Sequence, residues 1–209
     1  VAFADVDGDN DQDVLLAGYT DDDKYVTRLY INDGDGNFYW VYRTPFVGVA
    51  GGSFSFADID GDNDLDVVIS GRAAGGVNVT RLYKNNGLGT FSVVYSASFS
   101  NVSYGCNIFA DVDGDDDLDL FISGSTNDGV LSELYKNDGN GIFILETNTP
   151  FTDVSLGSNS FADVDGDNDL DLLITGDTGN GVISKLYLNS GNGKFSLVKN
   201  TPFQGVRYG

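Results

Sequence analysis

The sequence predicts an all-β protein built as a β-propeller, and three observations lead to this fold class. The chain consists of four tandem repeats of about 53 residues, at 1–53, 54–106, 107–158 and 159–209. Each repeat contains four short apolar segments separated by turns rich in Gly, Asn and Asp, and none shows helical periodicity. Four antiparallel strands in a repeat of this length are typical of a propeller blade. A β-solenoid is the alternative, although its repeats are usually shorter.

The first two strands of each repeat flank an acidic stretch of nine residues. The first strand ends just before it, as at 53–57, where small residues alternate with aromatic ones. The second strand follows it as a continuous apolar run, which indicates a strand covered on both faces. The four runs lie at 14–18, 67–71, 120–124 and 172–176.

The last two strands form a hairpin. The third strand always contains Leu-Tyr and is predicted at 26–31, 79–84, 131–136 and 183–188. Because its tyrosine recurs in every repeat, we expect this residue in the core or between blades; the four are Tyr30, Tyr83, Tyr135 and Tyr187. After a turn rich in Asn, Asp and Gly, the fourth strand is expected to open on Phe38, Phe91, Phe143 and Phe195. Thr-Pro-Phe then links the repeats at 44–46, 149–151 and 201–203, whereas the second repeat has Ala-Ser-Phe at 97–99.

The acidic stretch predicts a calcium site. It places Asp at its positions 1, 3, 5, 7 and 9, first seen at 5–13. Five carboxylates this close repel one another, and a hard divalent cation relieves the repulsion. Calcium accepts such oxygen ligands at flexible distances, whereas magnesium rarely uses an all-protein cage. Gly at position 4 and Asn or Asp at position 6 permit the tight, left-handed turn.

The stretch is similar to the start of an EF-hand loop, in which positions 1, 3 and 5 give side-chain oxygens and position 7 its backbone carbonyl. Here position 9 is also Asp and can complete the ligand shell. Position 12 is not the bidentate Glu of an EF-hand but Leu16, Ile69, Ile122 and Ile174. Since the flanks are also strand-like, we predict a calcium loop that is not an EF-hand.

Composition limits the partners of the chain. The sequence has 32 acidic and 11 basic residues, a formal net charge of −21. Four bound calcium ions would leave it acidic, which argues against nucleic acid and anionic membranes as partners. No apolar run is long enough to insert into a membrane. The single cysteine, Cys106, cannot form an intrachain disulfide, and there is no histidine to act as a general base.

Two motifs together resemble the FG-GAP/VCBS repeat family. They are Phe-Ala-Asp-Val-Asp-Gly-Asp-Asn-Asp-Leu-Asp and Leu-Tyr-x-Asn-x-Gly-x-Gly-x-Phe, and the resemblance covers essentially the whole chain, four times over. It implies a calcium-bearing propeller, an extracellular or cell-surface setting, and a role in adhesion or recognition. Family propellers generally have about seven blades, so four repeats suggest part of a longer array or a pair of chains.

The resemblance also implies four calcium sites and their ligands, with position 7 acting through its carbonyl. These ligands are Asp5, Asp7, Asp9, Asp11 and Asp13; Asp58, Asp60, Asp62, Asp64 and Asp66; Asp111, Asp113, Asp115, Asp117 and Asp119; and Asp163, Asp165, Asp167, Asp169 and Asp171.

Three functions are compatible with these features. The first is a recognition module for a carbohydrate or protein ligand at the loop face, with Tyr19, Tyr25, Trp40 and Arg72 as candidate contacts. The second is a structural subunit of an extracellular filament or surface layer, in which copies join through terminal strands, because the chain begins and ends within the same predicted strand. The third is a polysaccharide-degrading enzyme. We expect no enzyme, because nearly all the carboxylates are already calcium ligands.

Two N-glycosylation sequons occur, at Asn78 and Asn101. They are relevant only in a eukaryotic secretory pathway.

Overall fold

The computed structural model describes residues 1–208. It divides into two compact units, Val1–Ser103 and Tyr104–Gly209. The described residues form β-strands, turns and connecting segments, apart from one short 3-10 turn at Ala74–Gly76. The strands form four sheets, which we call blades 1 to 4 in chain order. None of the described residues belongs to a helix long and apolar enough to cross a membrane.

The first unit contains blades 1 and 2. Blade 1 consists of β1 (Ala2–Ala4), β2 (Asp13–Tyr19), β3 (Tyr25–Asn32) and β4 (Phe38–Trp40). Blade 2 consists of β5 (Val49–Ala57), β6 (Asp66–Ala73), β7 (Asn78–Lys84) and β8 (Ser92–Val93).

The second unit contains blades 3 and 4. Blade 3 consists of β9 (Ser103–Ala110), β10 (Asp119–Ser125), β11 (Val130–Asn137) and β12 (Phe143–Leu145). Blade 4 consists of β13 (Asn159–Ala162), β14 (Asp171–Asp177), β15 (Val182–Asn189) and β16 (Phe195–Leu197).

Each blade is a four-stranded meander in which strands adjacent in sequence are hydrogen-bonded neighbours. Their pairing is antiparallel, as between β2 and β3, where Leu15 lies opposite Leu29. This confirms the predicted all-β class and its four strands per repeat. It excludes the solenoid alternative, because the sheets of a β-solenoid are parallel.

The strand ends differ in detail from the prediction. The third strands are longer, mostly by one residue at each end, and β8 begins at Ser92, so Phe91 precedes the strand rather than opening it. Two first strands, β5 and β9, cross the predicted repeat boundaries at 53/54 and 106/107. No strand forms between Leu197 and residue 208, where the first-strand pattern was expected to resume. In β5 the corresponding residues pair with the second strand of their own blade, where Val49 lies opposite Ala73.

The core of the first unit lies between blades 1 and 2. Leu15 and Leu29 of blade 1 are buried in one cluster with Val67 and Ile69 of blade 2. The link between the blades completes the contact, because Phe46 packs edge-on against Tyr83, with ring centroids 5.0 Å apart. The Val47 N–H donates to the Tyr83 hydroxyl at 3.0 Å. The Thr-Pro-Phe link is therefore part of the interface between these blades.

Blades 3 and 4 repeat this arrangement in the second unit. Phe151 packs edge-on against Tyr187 at 5.3 Å, and the Thr152 N–H donates to the Tyr187 hydroxyl at 3.0 Å. The expected burial of the recurrent tyrosine is confirmed for Tyr83, Tyr135 and Tyr187, whereas Tyr30 of blade 1 is half-buried.

The predicted burial of both faces of the second strand is confirmed for β6 and β10, in which Val67, Val68, Leu120 and Phe121 are fully buried. It is wrong for β2, because Leu16 is exposed. Side chains alternate between the two faces of a strand, so Leu16 lies on the face opposite Leu15, which packs against blade 2. The face of blade 1 that carries Leu16 therefore remains open to solvent.

Candidate metal centres

Each acidic loop folds around the carboxylate at its first position. Asp5 accepts hydrogen bonds from the Gly8 N–H at 2.8 Å and from the Asn10 N–H at 2.9 Å. The same pair of bonds occurs at Asp58, Asp111 and Asp163. Position 6 is left-handed in every loop, with φ of 70°, 67°, 71° and 73° at Asn10, Asn63, Asp116 and Asn168. The predicted left-handed turn is confirmed.

The loop brings carboxylates together in a way that suits a metal ion. Three side chains per loop each offer one oxygen, and within a loop these oxygens lie within 4.8 Å of one another. Positions 1 and 3 contribute in every loop, joined by position 9 in loops 1 and 4 and by position 5 in loops 2 and 3. The sets are Asp5, Asp7 and Asp13; Asp58, Asp60 and Asp62; Asp111, Asp113 and Asp115; and Asp163, Asp165 and Asp171.

The carboxylate at position 3 has an oxygen for which the protein supplies no partner. The Oδ1 atoms of Asp7, Asp60 and Asp113 are buried and accept no hydrogen bond from the described residues. A buried carboxylate oxygen without a partner is costly. Each lies in a cluster of hard oxygen ligands, the type that calcium prefers. The residues present therefore fit a calcium ion, held by positions 1, 3 and 5 or 9.

The carboxylate at position 9 anchors the loop to the sheet. Asp13 accepts from the Val6 N–H at 2.9 Å and from the Asn32 N–H at 2.8 Å. Asp119 and Asp171 make the same pair of contacts, and all four position-9 side chains are buried. Burial raises the pKa of Asp66 to about 7 and that of Asp119 to about 6. Position 9 thus connects the loop to the third strand, a role that sequence reasoning did not assign.

The side chain at position 7 packs against the hairpin between the third and fourth strands. A Cβ atom built on Gly34, Gly87 or Gly139 would collide with the carboxylate of Asp11, Asp64 or Asp117, respectively. These glycines also have positive φ, from 72° to 78°. The absence of a Cβ therefore lets the hairpin close over the loop. Because the position-7 side chain packs against the hairpin, its backbone carbonyl is the group that could bind a metal, as the resemblance implies.

Sequence reasoning missed an asparagine at the end of each third strand. The backbone N–H of Asn32, Asn85, Asn137 and Asn189 donates to the position-9 carboxylate of its own repeat. The side-chain amides of Asn85 and Asn189 reach the carbonyls of Val6 and Val112 in the preceding blade, at 2.8 and 2.7 Å. The Leu-Tyr-x-Asn motif, which occurs in all four repeats, could have indicated this asparagine, but it was interpreted only as the start of a turn.

Two lysines next to the loops were also missed. Lys84 forms ion pairs with Asp60 and with Asp62, the latter at 3.3 Å. Lys136 lies 2.7 Å from Asp113. Their counterparts in repeats 1 and 4 are Ile31 and Leu188. A charged residue at a position that is apolar in the other two repeats could have indicated these lysines.

The candidate ligand contacts lie on the surface of blade 1, except Arg72. Tyr19 and Tyr25 form an edge-to-face pair with ring centroids 4.9 Å apart. The ring centroid of Trp40 lies 4.1 Å from that of Tyr42 and 4.5 Å from the guanidinium carbon of Arg28. A groove of about 300 Å³ runs beside Trp40 and includes Arg28, Arg43 and Tyr25 in its walls. Arg72 is exposed on blade 2.

The two sequons differ in accessibility. Asn78 is buried, and its amide oxygen accepts from the Ser103 hydroxyl at 2.9 Å. Asn101 is exposed, and its amide oxygen accepts from the Thr80 N–H at 2.8 Å. A glycan on Asn78 would therefore require local unfolding.

Residues 5–69 and 111–174 match the sequence model of a family described as FG-GAP-like repeat, and together they make up more than half of the chain. Each matched segment begins at the first Asp of an acidic loop and runs into the second strand of the following blade. Repeats of this type are typical of extracellular proteins. No curated protein sequence matches the chain.

Proposed function

Because this chain belongs to the FG-GAP-like repeat family, we propose that it is an extracellular recognition module whose blades are stabilised by four structural calcium ions. The observation that carries the calcium assignment is the buried Oδ1 atom of Asp7, Asp60 and Asp113, which has no hydrogen-bond donor among the described residues. The proposal includes no catalytic activity, since the clustered carboxylates are assigned to the metal.

Calcium would stabilise the folded chain because the unfolded chain lacks the clusters. A ligand that binds only the folded state contributes about 2.7 kcal/mol at a hundredfold excess over its Kd. The carboxylates repel one another most strongly when no cation lies between them. The melting temperature should therefore rise with calcium and fall when a chelator removes it.

Asp7→Asn tests this assignment, because it keeps the shape of the side chain but removes its charge. In about 1 mM calcium we expect the variant to melt at a lower temperature than wild type. In excess chelator it should melt at the same or a higher temperature, because one repelling charge is gone. Asp21→Ala serves as a control, since Asp21 is an exposed acid outside the loops. Equal destabilisation by Asp7→Asn with and without calcium would contradict a metal role.

The recognition part of the proposal is supported by the surface of blade 1. Trp40 and Tyr42 are 39% and 71% exposed, although aromatic rings usually lose most of their area to packing. The corresponding positions hold Val93 and Tyr95 in the second repeat and Leu145 and Thr147 in the third. Arg28 and Arg43 beside them form no ion pair among residues 1–208. An exposed aromatic pair with adjoining guanidinium groups offers apolar faces and bidentate donors to a sugar.

The backbone at Arg43 supports the same interpretation. Arg43 is left-handed, with φ of 66°, and so are Asn148 and Asn200 at the corresponding positions of repeats 3 and 4. Asn tolerates this conformation better than Arg does. Strained residues of this kind concentrate at binding sites.

Trp40 is the only tryptophan in the chain, so its fluorescence reports directly on this groove. We expect an oligosaccharide such as oligogalacturonate, which carries carboxylates, to change the emission in a saturable way. Tyr42→Ala should weaken that change, whereas Tyr95→Ala should not, because Tyr95 is the exposed counterpart in blade 2. No response to charged or neutral oligosaccharides would count against a carbohydrate ligand here.

Assembly of copies is a second candidate, favoured by matching open faces on blades 1 and 4. Phe203 is 47% exposed, although its counterparts Phe46 and Phe151 pack against the tyrosine of a following blade. On blade 1, Phe38 is 45% exposed, whereas its counterpart Phe91 is 7% exposed. We therefore also propose that the open face of blade 4 in one copy packs against the open face of blade 1 in another.

The asparagine bridge supports this second candidate. No described residue donates to the carbonyl of Val164, the counterpart of Val6 and Val112. Among the described residues, the side-chain NH2 of Asn32 donates only to the carbonyl of Gln12 in its own loop. Sedimentation and electron microscopy of the chain in calcium would test assembly. Concentration-dependent oligomers that Phe203→Asp abolishes are expected, and a monomer at every concentration would exclude it.

A further inference from the structure

The third strands of the four repeats differ at one position beside the calcium loop. This position holds Ile31, Lys84, Lys136 and Leu188 in chain order. In each repeat it immediately precedes the asparagine whose backbone N–H binds the position-9 carboxylate. The four side chains therefore start from the same place relative to their loops, and only the second and third carry a charge.

Both lysines contact the carboxylates that would hold the metal. The Lys84 ammonium pairs with Asp60 and Asp62, at positions 3 and 5 of loop 2. The Lys136 ammonium lies 2.7 Å from Asp113, at position 3 of loop 3, and donates to the carbonyl of Asn192 at 2.9 Å. Lys136 is thus held from both sides, by its own loop and by the hairpin of blade 4.

In the part of the chain that the structure describes, loops 1 and 4 have no such cation. Among residues 1–208, none of their ten aspartates forms an ion pair with Lys or Arg. Their clusters also differ in composition, because the third carboxylate comes from the buried position 9 (Asp13 and Asp171) rather than from position 5. Each compact unit therefore contains one loop of each kind, with loops 1 and 2 in the first unit and loops 3 and 4 in the second.

We infer that Lys84 and Lys136 act as built-in counterions that divide the calcium sites into two classes, tight at loops 1 and 4 and weak at loops 2 and 3. The inference rests on the proposed binding of calcium. An ammonium that pairs with Oδ2 of a ligand carboxylate repels the incoming cation, which must bind through the remaining oxygen or displace the ammonium. Without calcium, the same ammonium offsets the repulsion among the carboxylates. Loops 2 and 3 are therefore less dependent on calcium than loops 1 and 4.

Calorimetric titration of the metal-free chain with calcium tests this inference. We expect two tight and two weak sites, with affinities that differ by roughly tenfold or more at low ionic strength. The difference in calcium affinity between the two classes should become smaller in high salt, because both lysines are partly exposed and their charges are screened.

The double variant Lys84→Ile/Lys136→Leu introduces the residues that repeats 1 and 4 already use. It should convert the titration to four tight sites and lower the melting temperature in chelator. Lys24→Met removes the same type of charge from an exposed pair outside the loops and should leave both classes unchanged. The reciprocal variant Ile31→Lys should reduce the number of tight sites from two to one, which keeps the test decisive if the double variant fails to fold.

The outcomes separate the inference from the proposal on which it rests. An absence of calcium binding would overturn the proposed function itself. Four equivalent sites in wild type, or two classes that neither the double variant nor Ile31→Lys alters, would overturn only the role of the lysines.

Discussion

The side-chain amide of Asn85 donates to the carbonyl of Val6 at 2.8 Å, across 79 residues of sequence. Val6 is position 2 of the first acidic loop, and the backbone N–H of Asn85 is bound to Asp66, position 9 of the second loop, at 2.7 Å. One residue thus joins two consecutive loops. Asn189 makes the equivalent connection between Val112 and Asp171. Consecutive acidic loops are therefore linked by hydrogen bonds within each unit.

We predict that Asn85→Ala lowers the free energy of unfolding by about 1–2 kcal/mol, because a buried hydrogen bond is lost while the Val6 carbonyl keeps its bond from the Gly89 N–H. Urea denaturation in calcium measures this loss. Asn127→Ala is the matched control at an exposed asparagine and should be neutral. The variant should also weaken calcium binding at loop 1, and an unchanged titration would show that the two loops are independent.

Substitutions at two glycines of one hairpin distinguish the effect of backbone strain from the effect of a collision with the acidic loop. Gly34 and Gly36 both have positive φ, at 78° and 86°. A Cβ on Gly34 would collide with Asp11, whereas one on Gly36 has no neighbour within 4 Å. Gly36→Ala should cost about 1–2 kcal/mol from left-handed strain alone. Gly34→Ala should cost clearly more and reduce the stabilisation by calcium, because Asp11 is displaced. Thermal melts with and without calcium compare the two, and equal losses would mean that the hairpin does not support the loop.

When calcium is absent, stability should fall as the pH rises. Carboxylates whose pKa is lowered by folding have the opposite effect. Burial raises the pKa of Asp66 from 3.8 to about 7 and that of Asp119 from 3.8 to about 6. Between the unfolded and folded pKa values the folded state binds more protons than the unfolded state. Stability therefore decreases as the pH rises through this window.

In chelator, the melting temperature should consequently be higher near pH 5 than near pH 7.5. The high negative charge of the chain acts in the same direction. Calcium should counteract this loss of stability at neutral pH, because it compensates the negative charges of the ionised carboxylates, which protonation removes at lower pH. A melting temperature in chelator that rises with pH would show that these two carboxylates are ionised at no cost in the folded chain.

The contribution of the Thr-Pro-Phe phenylalanine to stability should depend on how many aromatic rings cover it. Phe151 contacts Phe121, Tyr187 and Phe195 at centroid distances of 5.3, 5.3 and 5.1 Å. Phe151→Ala should therefore destabilise the chain by about 3–5 kcal/mol. Phe203→Ala should cost less than about 1 kcal/mol in dilute solution, where about half of the side chain is already exposed. Urea denaturation at two protein concentrations checks both values. A large, concentration-dependent cost for Phe203→Ala would indicate that another copy covers this ring.

Much of the fold could be predicted because its signals are local and repeated four times. The continuous apolar run at 67–71 correctly indicated the strand β6, and the Asn or Asp at position 6 correctly indicated a left-handed turn. The strand ends and the start of β8 were less predictable, because pairing with a neighbouring strand decides them and local preference does not.

The sequence by itself determined the repeat, the four-stranded unit and the carboxylates of each loop, because the spacing of residues along a strand or turn determines which of them can meet locally. Only the tertiary structure decided which carboxylate anchors the loop and which oxygens remain without a partner, since both depend on hydrogen bonds between separate segments, such as that between the Asn32 N–H and Asp13, 19 residues apart. It also decided that Asn85 reaches Val6, that Lys84 reaches Asp60, and that Leu16 stays exposed while Ile69 is buried. Equivalent positions in repeated sequence acquire different environments because burial and charge pairing depend on what lies across the gap between blades, which the local sequence does not encode.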